Sequence, residues 1–267
     1  MKLKSFVAVT AVVTAGVALA KFESNTTLCQ IQVSSPYTNT VVALPLVEVG
    51  GSADTINPAD YVLTNGLVTG SYMYIKEGDT LKGWALTAQG WEPCAVAEAR
   101  TNAVIHSVAA ADNEAVARGN AVWLFRNGAS LGEKPIYLWG QLSLNEATNT
   151  ATGAYTMMGN ASTNAVRLTA LNWQVPPAVG DKVMFIDDSA YGVTNEFTCS
   201  SSANPPSWTF VTNSTRTVII RGQEKQITTF FDVELAPNSV NDPTIDPGAG
   251  FYFYRKSTEG TAPKVVW

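Results

Sequence analysis

The sequence predicts an all-β protein built from two related antiparallel β-sandwich or barrel-like halves, with one or two short helical turns. Short apolar and β-branched segments with alternating polarity follow one another along the chain. Glycine, proline, asparagine and aspartate separate these segments, as turns require. A glycine and aromatic phrase occurs twice, as "GNAVWLFR" (119–126) and "GAGFYFYR" (248–255).

Alternation and turn signals place the individual elements. The predicted strands are, in chain order, 29–35, 40–49, 71–76, 80–88, 102–110, 120–127, 134–142, 164–173, 181–188, 195–201, 207–212, 216–222, 225–235, 250–256 and 262–267. Asn57 is expected to cap a helical turn that has Pro58 at its first position. One or two further helical turns are expected in 110–119, stopped by Gly119.

The repeated phrase has a folding explanation that needs no ligand. Gly119 and Gly248 can adopt a positive φ, and Ala121 and Gly250 are small enough for a neighbouring chain to approach closely. The residues that follow are apolar without alternation, which is typical of strands covered on both faces. We therefore predict that both strands lie in the middle of a sandwich or barrel, covered on both faces.

Other matches between the halves occur in the same order, and they favour a tandem duplication. Arg126 and Arg255 end the two phrases and are expected to carry their charge into water. The further matches are Asn39 with Asn164, Gly70 with Gly180 and Trp91 with Trp208. The polar stretch 142–155 is suited to a linker, so the predicted halves are 21–145 and 146–267.

The first twenty residues are interpreted as a signal peptide. Lys2 and Lys4 precede an apolar run that ends in Ala18-Leu19-Ala20, and Ala20 is the expected cleavage position. The protein is therefore expected to be secreted, periplasmic or on the cell surface, with no membrane span after cleavage. Acceptor sequons for N-glycosylation, which matter only in a glycosylating host, begin at Asn25, Asn160 and Asn213.

Charge and cysteine usage narrow the function classes. The formal net charge is −5, and no basic cluster is present that would bind nucleic acid or an anionic membrane. The odd set of cysteines (Cys29, Cys94 and Cys199) leaves either three core thiols or one disulfide of unassigned pairing. No cofactor motif occurs, and the partner is unknown, with a polysaccharide or an envelope protein as candidates.

Few residues favour catalysis. His106 is the only histidine and shares a strand face with valines, and no G-x-S-x-G motif accompanies it. Asp187-Asp188 would point to opposite faces of a strand, whereas Asp232 and Glu234 would share one face. The loop 241–248 holds oxygens that could bind calcium but is more simply a pair of Asp-Pro turns. We predict no enzyme activity and no metal site.

Aromatic residues indicate a second function class. Sugar-binding modules stack pyranose rings on exposed tryptophans, and four tryptophans fall near strand ends or loops. The candidate ring residues are Trp84, Trp91, Trp173 and Trp208. Trp208 follows two prolines and is the strongest candidate for an exposed ring, although burial under a loop is the simpler alternative.

The pattern of "NTVVALPL", "YMYI", "GWALTAQGW" and the closing "GNAVWLFR" or "DPGAGFYFY" resembles a module of uncharacterised secreted bacterial proteins. The resemblance covers most of the chain loosely and implies exported β-rich structure with no defined activity. The sequence thus favours an exported non-catalytic protein of the cell envelope or surface with a structural, adhesion or assembly role. A carbohydrate-binding module is the alternative, and a glycan-active hydrolase ranks last.

Overall fold

A computed structural model describes most of the chain, and the described residues are 12–14, 17–19, 28–34, 39–47, 55–77, 80–101, 104–111, 116–127, 135–143, 145–187, 192–220 and 223–267. Strands dominate them and most strand pairs are antiparallel, so the predicted all-β fold is confirmed.

The elements alternate with short turns throughout. The strands are, in chain order, β1 (Val12–Thr14), β2 (Val17–Leu19), β3 (Leu28–Ser34), β4 (Asn39–Ala43), β5 (Thr55–Ile56), β6 (Tyr72–Glu77), β7 (Thr80–Thr87), β8 (Gly90–Pro93), β9 (Val96–Thr101), β10 (Val104–Ala110), β11 (Val116–Ala117), β12 (Ala121–Phe125), β13 (Pro135–Gln141), β14 (Thr148–Thr150), β15 (Tyr155–Gly159), β16 (Val166–Arg167), β17 (Asn172–Val175), β18 (Lys182–Asp187), β19 (Gly192–Ser201), β20 (Ser207–Ile220), β21 (Gln223–Glu234), β22 (Thr244–Ile245), β23 (Gly250–Tyr254) and β24 (Lys264–Val266). The helical elements are α1 (Pro58–Tyr61) and a 3-10 turn (Leu168–Ala170).

Two large open sheets organise the molecule. The first sheet has the strand order β4-β12-β6-β7-β10-β9, and β8 also pairs with β7. The second sheet has the order β15-β23-β18-β19-β20-β21. Among these pairs only β10 with β7 is parallel, so the antiparallel prediction has one exception in the described residues.

The large sheets pack on each other and are covered on their far faces. The central strands β12 and β23 alternate between two apolar clusters each. In β12, Val122 and Leu124 face a core that contains α1 and β13 residues, whereas Trp123 faces the other large sheet. In β23, Phe251 and Phe253 face β24 and β17, and Tyr252 packs against Trp123 with ring centroids 5.5 Å apart. The prediction that these strands are covered on both faces is confirmed.

Small residues bring the two sheets into contact at the ends of their edge strands β4 and β15. The Ala43 amide donates to the Gly248 carbonyl, and the Gly159 amide donates to the Gly119 carbonyl, both at 2.9 Å. A Cβ on Gly159 would lie 2.1 Å from the Ala43 Cβ. Side chains larger than these would therefore separate the sheets and break both bonds.

The glycines of the repeated phrase have the predicted conformation. The φ angles of Gly119 and Gly248 are +88° and +81°. A Cβ on Gly250 would lie 2.6 Å from the Val41 Cγ1 and 3.0 Å from the Ala121 Cβ, so its small size permits the predicted close approach.

The arginines after the phrase are buried, and the expectation that their charge reaches water is wrong. Arg126 and Arg255 both lie in the interior. The Arg255 guanidinium donates to the carbonyls of Ala151 at 3.2 Å and Glu259 at 3.4 Å. Carbonyl acceptors from neighbouring turns replace the water that a buried guanidinium loses.

The helical turn at Asn57 is confirmed, because its side chain accepts from the Ala59 amide at 3.1 Å and Pro58 begins α1. The helical turns expected in 110–119 are wrong for 116–119, where β11 is followed by a turn, and 112–115 lie outside the described residues. The strand expected over 164–173 is interrupted by the 3-10 turn.

The expected match between Asn39 and Asn164 does not hold. Asn39 begins β4, which pairs with β12 in the first sheet. Asn164 precedes the two-residue strand β16, which pairs with β22 outside both large sheets.

Within the predicted leader, β1 and β2 pair with each other in antiparallel fashion. No helix among the described residues has the length and apolar character needed to cross a membrane. Cleavage after Ala20 remains a prediction.

Candidate functional site

The predicted sugar-stacking rings lie mostly in the interior. Trp84, Trp173 and Trp208 are buried, and Trp208 is 0% exposed. The expectation of an exposed ring at Trp208 is therefore wrong. Trp91 is half-buried, and its indole Nε1 donates to the Val62 carbonyl at 2.8 Å. Three of the four rings thus have no face that a sugar could reach.

Strand register explains why Trp208 is buried. Trp208 lies opposite Cys199 on β19 and shares the inward face of β20 and β21 with Leu235. Its ring centroid is 6.3 Å from that of Trp173, which in turn lies 5.6 Å from Phe253. The two prolines before Trp208 lead the chain into the core rather than displaying the ring.

The groups considered for catalysis do not form a site in the described residues. Asp232 and Glu234 share one face of β21 as predicted, and both are exposed. The side chains of His106 and Asp187, and all of Asp188, lie outside the described residues.

Asp242 joins the loop 241–248 to neighbouring segments. Asn241 is exposed, whereas Asp242 and Asp246 are buried. The Asp242 carboxylate accepts from the Thr169 hydroxyl at 2.6 Å and from the Asn238 amide at 3.0 Å. In the described part of the chain, no cluster of three or more histidine, cysteine or acidic residues has the geometry for a metal ion.

The described cysteines are free thiols. Cys94 is half-buried, Cys199 is buried, and no disulfide joins them. The Cys29 side chain lies outside the described residues. Burial raises the pKa of the Cys199 thiol to about 11. Burial also raises the pKa of the Tyr74 hydroxyl far above its ordinary range, so the ring stays neutral between the sheets.

The feature that remains for function is the hairpin of β20 and β21, which we call the arm from Val211 to Asp232. The two strands pair without a break from Thr209–Glu234 to Ile220–Gln223. In the described part of the chain, the neighbouring strand β19 pairs with β20 only at Ser207–Phe210. Beyond Phe210, β20 pairs with no described strand but β21, so a two-stranded ribbon about 33 Å long continues beyond the last pair with β19.

Apolar side chains on both faces of the arm are open to solvent. Val211 is 62% exposed and Phe230 is 67% exposed, and both lie on the outward face together with Asp232. Phe231 is 45% exposed. It lies on the inward face of β21, beyond the residues that pack in the core. Exposed phenylalanines on a bare ribbon are typical of contact surfaces.

The outer edge of β21 also presents backbone groups. The Leu235 amide donates to the Trp208 carbonyl at 2.8 Å, and interstrand bonds alternate along an antiparallel pair. The N–H and C=O groups of Phe230, Asp232 and Glu234 therefore point away from β20. β21 is the terminal strand of the second sheet, so in the described residues no further strand covers this edge.

Such an arm can bind another polypeptide by adding a strand at its edge. The sequence pattern predicts two strands, 207–212 and 216–222, where the structure has the single strand β20. The available signal was the run of β-branched residues on either side of Arg221-Gly222, because a glycine between two such runs is typical of a tight hairpin loop.

Comparisons with protein-family models, curated proteins and solved structures find no match to this chain.

Proposed function

We propose that the protein is an exported, non-catalytic component of the cell envelope or surface, with a structural, adhesion or assembly role exercised through the arm. The observation that carries the proposal is the two-stranded ribbon with exposed Val211, Phe230 and Phe231. An isolated two-stranded hairpin is marginally stable in water, so a partner that covers the ribbon would stabilise it. The basic and apolar leader supports export.

The body from which the arm extends is proposed to be a tandem pair of related β units. Gly70 and Gly180 support this, because both have positive φ and their amides donate to the Leu86 and Cys199 carbonyls, each at 2.9 Å. Trp91 lies opposite Leu86, and Trp208 lies opposite Cys199. On this proposal the shared elements form cores, and the arm is an addition to the second unit.

Shortening the arm tests the proposed role. Replacing residues 213–230 by Asn-Gly retains Thr212 opposite Phe231, which is a hydrogen-bonded pair by the alternation above, and a two-residue turn closes such a pair. The inward-facing Phe210 and Trp208 keep their neighbours, so the body should keep its circular dichroism spectrum and melting temperature.

The assay is fractionation of the producing cells, with the full-length chain and the shortened chain expressed at equal levels. We expect the full chain, beginning at Lys21, in the envelope or surface fraction, and the shortened chain in the soluble exported fraction. Val240→Lys is the matched control, because Val240 is 97% exposed but lies in a turn outside the arm. Retention of the shortened chain at the full-length level contradicts the role of the arm. An uncleaved chain that stays in the cytoplasm contradicts export.

A further inference from the structure

We infer that the arm binds a second copy of this chain by antiparallel pairing of the two β21 edges about a two-fold axis at Phe230. The inference rests on the proposed assembly role and names its partner. The resulting sheet would run β20-β21-β21-β20 across the two copies and would cover the open edge of each arm.

Symmetry restricts how two identical edges can pair. A two-fold axis relating neighbouring antiparallel strands is perpendicular to the sheet, so one residue must lie opposite its own copy. An axis at Phe230 places the phenylalanines opposite each other, with Asp232 opposite Thr228 and Glu234 opposite Gln226 of the partner copy. No like charges face each other in this register.

Three of the shifted registers put like charges together. An axis at Thr228 places Glu224 opposite Asp232, and an axis at Thr229 places Glu224 opposite Glu234. An axis at Asp232 places that carboxylate opposite itself. Like charges directly opposite one another destabilise a strand pair.

Axes at Ile227 and Phe231 avoid like charges but place each Phe230 ring opposite the carboxylate of Glu224 or Asp232, respectively. An axis at Gln226 also avoids them but leaves Phe230 outside the paired residues. The Phe230 register instead pairs aromatic with aromatic, which is a favourable cross-strand contact. Val211 lies diagonally next to Phe230 on the outward face, so Val211 and the paired Phe230 rings would form one continuous apolar row across the joined sheet.

The backbone geometry fits this register. The N–H and C=O groups of Phe230 point toward the outer edge, so the two Phe230 residues can exchange both backbone hydrogen bonds. The Cα atoms of such a pair are about 5.5 Å apart, which is within the range of a disulfide.

Sedimentation velocity on the chain from Lys21 onward measures the association. We expect a dimer whose dissociation constant rises at least about tenfold in Phe230→Lys, because the substitution removes the aromatic pair and places two ammonium groups opposite each other. Phe230 is mostly exposed, so the monomer should remain folded. Val240→Lys, the same change in an exposed turn, should leave the constant unchanged.

Cysteine crosslinking tests the register independently of affinity. Under mild oxidation, Phe230→Cys should form a covalent dimer, whereas Asp232→Cys should not exceed the level of the unsubstituted protein. The two Asp232 positions are offset by four residues, about 13 Å, which is too far for a disulfide.

A chain that stays monomeric at its highest soluble concentration overturns the inference, as does a dimer unaffected by Phe230→Lys or crosslinked equally well through Asp232→Cys. These failures are distinct from failure of the proposed function. A monomer that still needs the arm for envelope retention leaves the assembly role in place with a different partner. A Phe230-centred dimer that never reaches the envelope leaves the pairing in place and removes the role.

Discussion

Substituting Gly159 by alanine perturbs the contact between the two large sheets. The new Cβ would lie 2.1 Å from the Ala43 Cβ and 2.7 Å from its Cα. Backbone must move to relieve such contacts, and overpacking of this kind costs about 1–3 kcal/mol. The movement also strains the bonds Ala43–Gly248 and Gly159–Gly119, worth about 0.5–1.5 kcal/mol each.

The expected loss of unfolding free energy is therefore about 2–6 kcal/mol, which corresponds to a melting temperature lower by roughly 4–24 °C for a chain of this size. Urea or guanidinium unfolding, with thermal scans on the same samples, measures both quantities. Gly260→Ala is the control for backbone conformation, since its Cβ would meet nothing within 4 Å and its φ of +82° contributes strain alone.

A second substitution tests the cause. Ala43→Gly in the unsubstituted protein should destabilise, because it removes a buried methyl group. In the Gly159→Ala background the same change should stabilise by about 1 kcal/mol, because it removes the nearest clashing atom. The recovery is partial, since the Ala43 Cα remains. If Ala43→Gly has the same sign in both backgrounds, or if Gly159→Ala costs less than Gly260→Ala, the reasoning about the sheet contact is refuted.

Three further outcomes are expected. Trp208→Ala should lower the unfolding free energy by about 3–5 kcal/mol, because the ring is fully buried. Trp208→Phe should lower it by clearly less, because the Trp208 indole N–H has no hydrogen-bond partner among the described residues that the change would remove. Equal losses in denaturant unfolding would contradict this. Burial raises the pKa of the Cys199 thiol from 9.0 to about 11, so its contribution to the free energy of unfolding should be complete below pH 9 and lost as the pH rises to 11. Cys199→Ser should remove this part of the pH dependence of the unfolding free energy. An unchanged pH dependence would rule out Cys199 as its source. In a glycosylating host, mass spectrometry should find glycan on exposed Asn213 but not on buried Asn160, whose amide nitrogen donates to the Ile245 carbonyl at 2.7 Å; modification of Asn160 in folded protein would contradict the burial.

Local chemistry made part of the fold predictable. The positive φ of Gly119 and Gly248 was predictable, because a turn with positive φ strongly favours glycine and the glycines are visible in the sequence. The burial of Trp123 and Tyr252 followed from apolar runs without alternation, which indicate cover on both faces.

Features that depend on distant segments were not predictable. The burial of Arg255 requires carbonyl groups of Ala151 and Glu259, and no local pattern announces such acceptors. Trp208 has the same neighbours in sequence whether its ring faces solvent or the β17 and β24 layer, so alternation alone does not decide. The arm was missed because its polar outward positions, such as Asn213, are also typical of turns.

The arm begins where the two sheets cease to match. As far as Trp91 and Trp208, β8 pairs with β7 in the same antiparallel way as β20 pairs with β19. β8 then ends at Pro93, whereas β20 continues to Ile220. If the two units arose by duplication, the strands that they share serve to build the cores. A function that the first unit lacks would then belong to the arm. The shortened arm separates these contributions, because it removes the extension and leaves the matched strands in place.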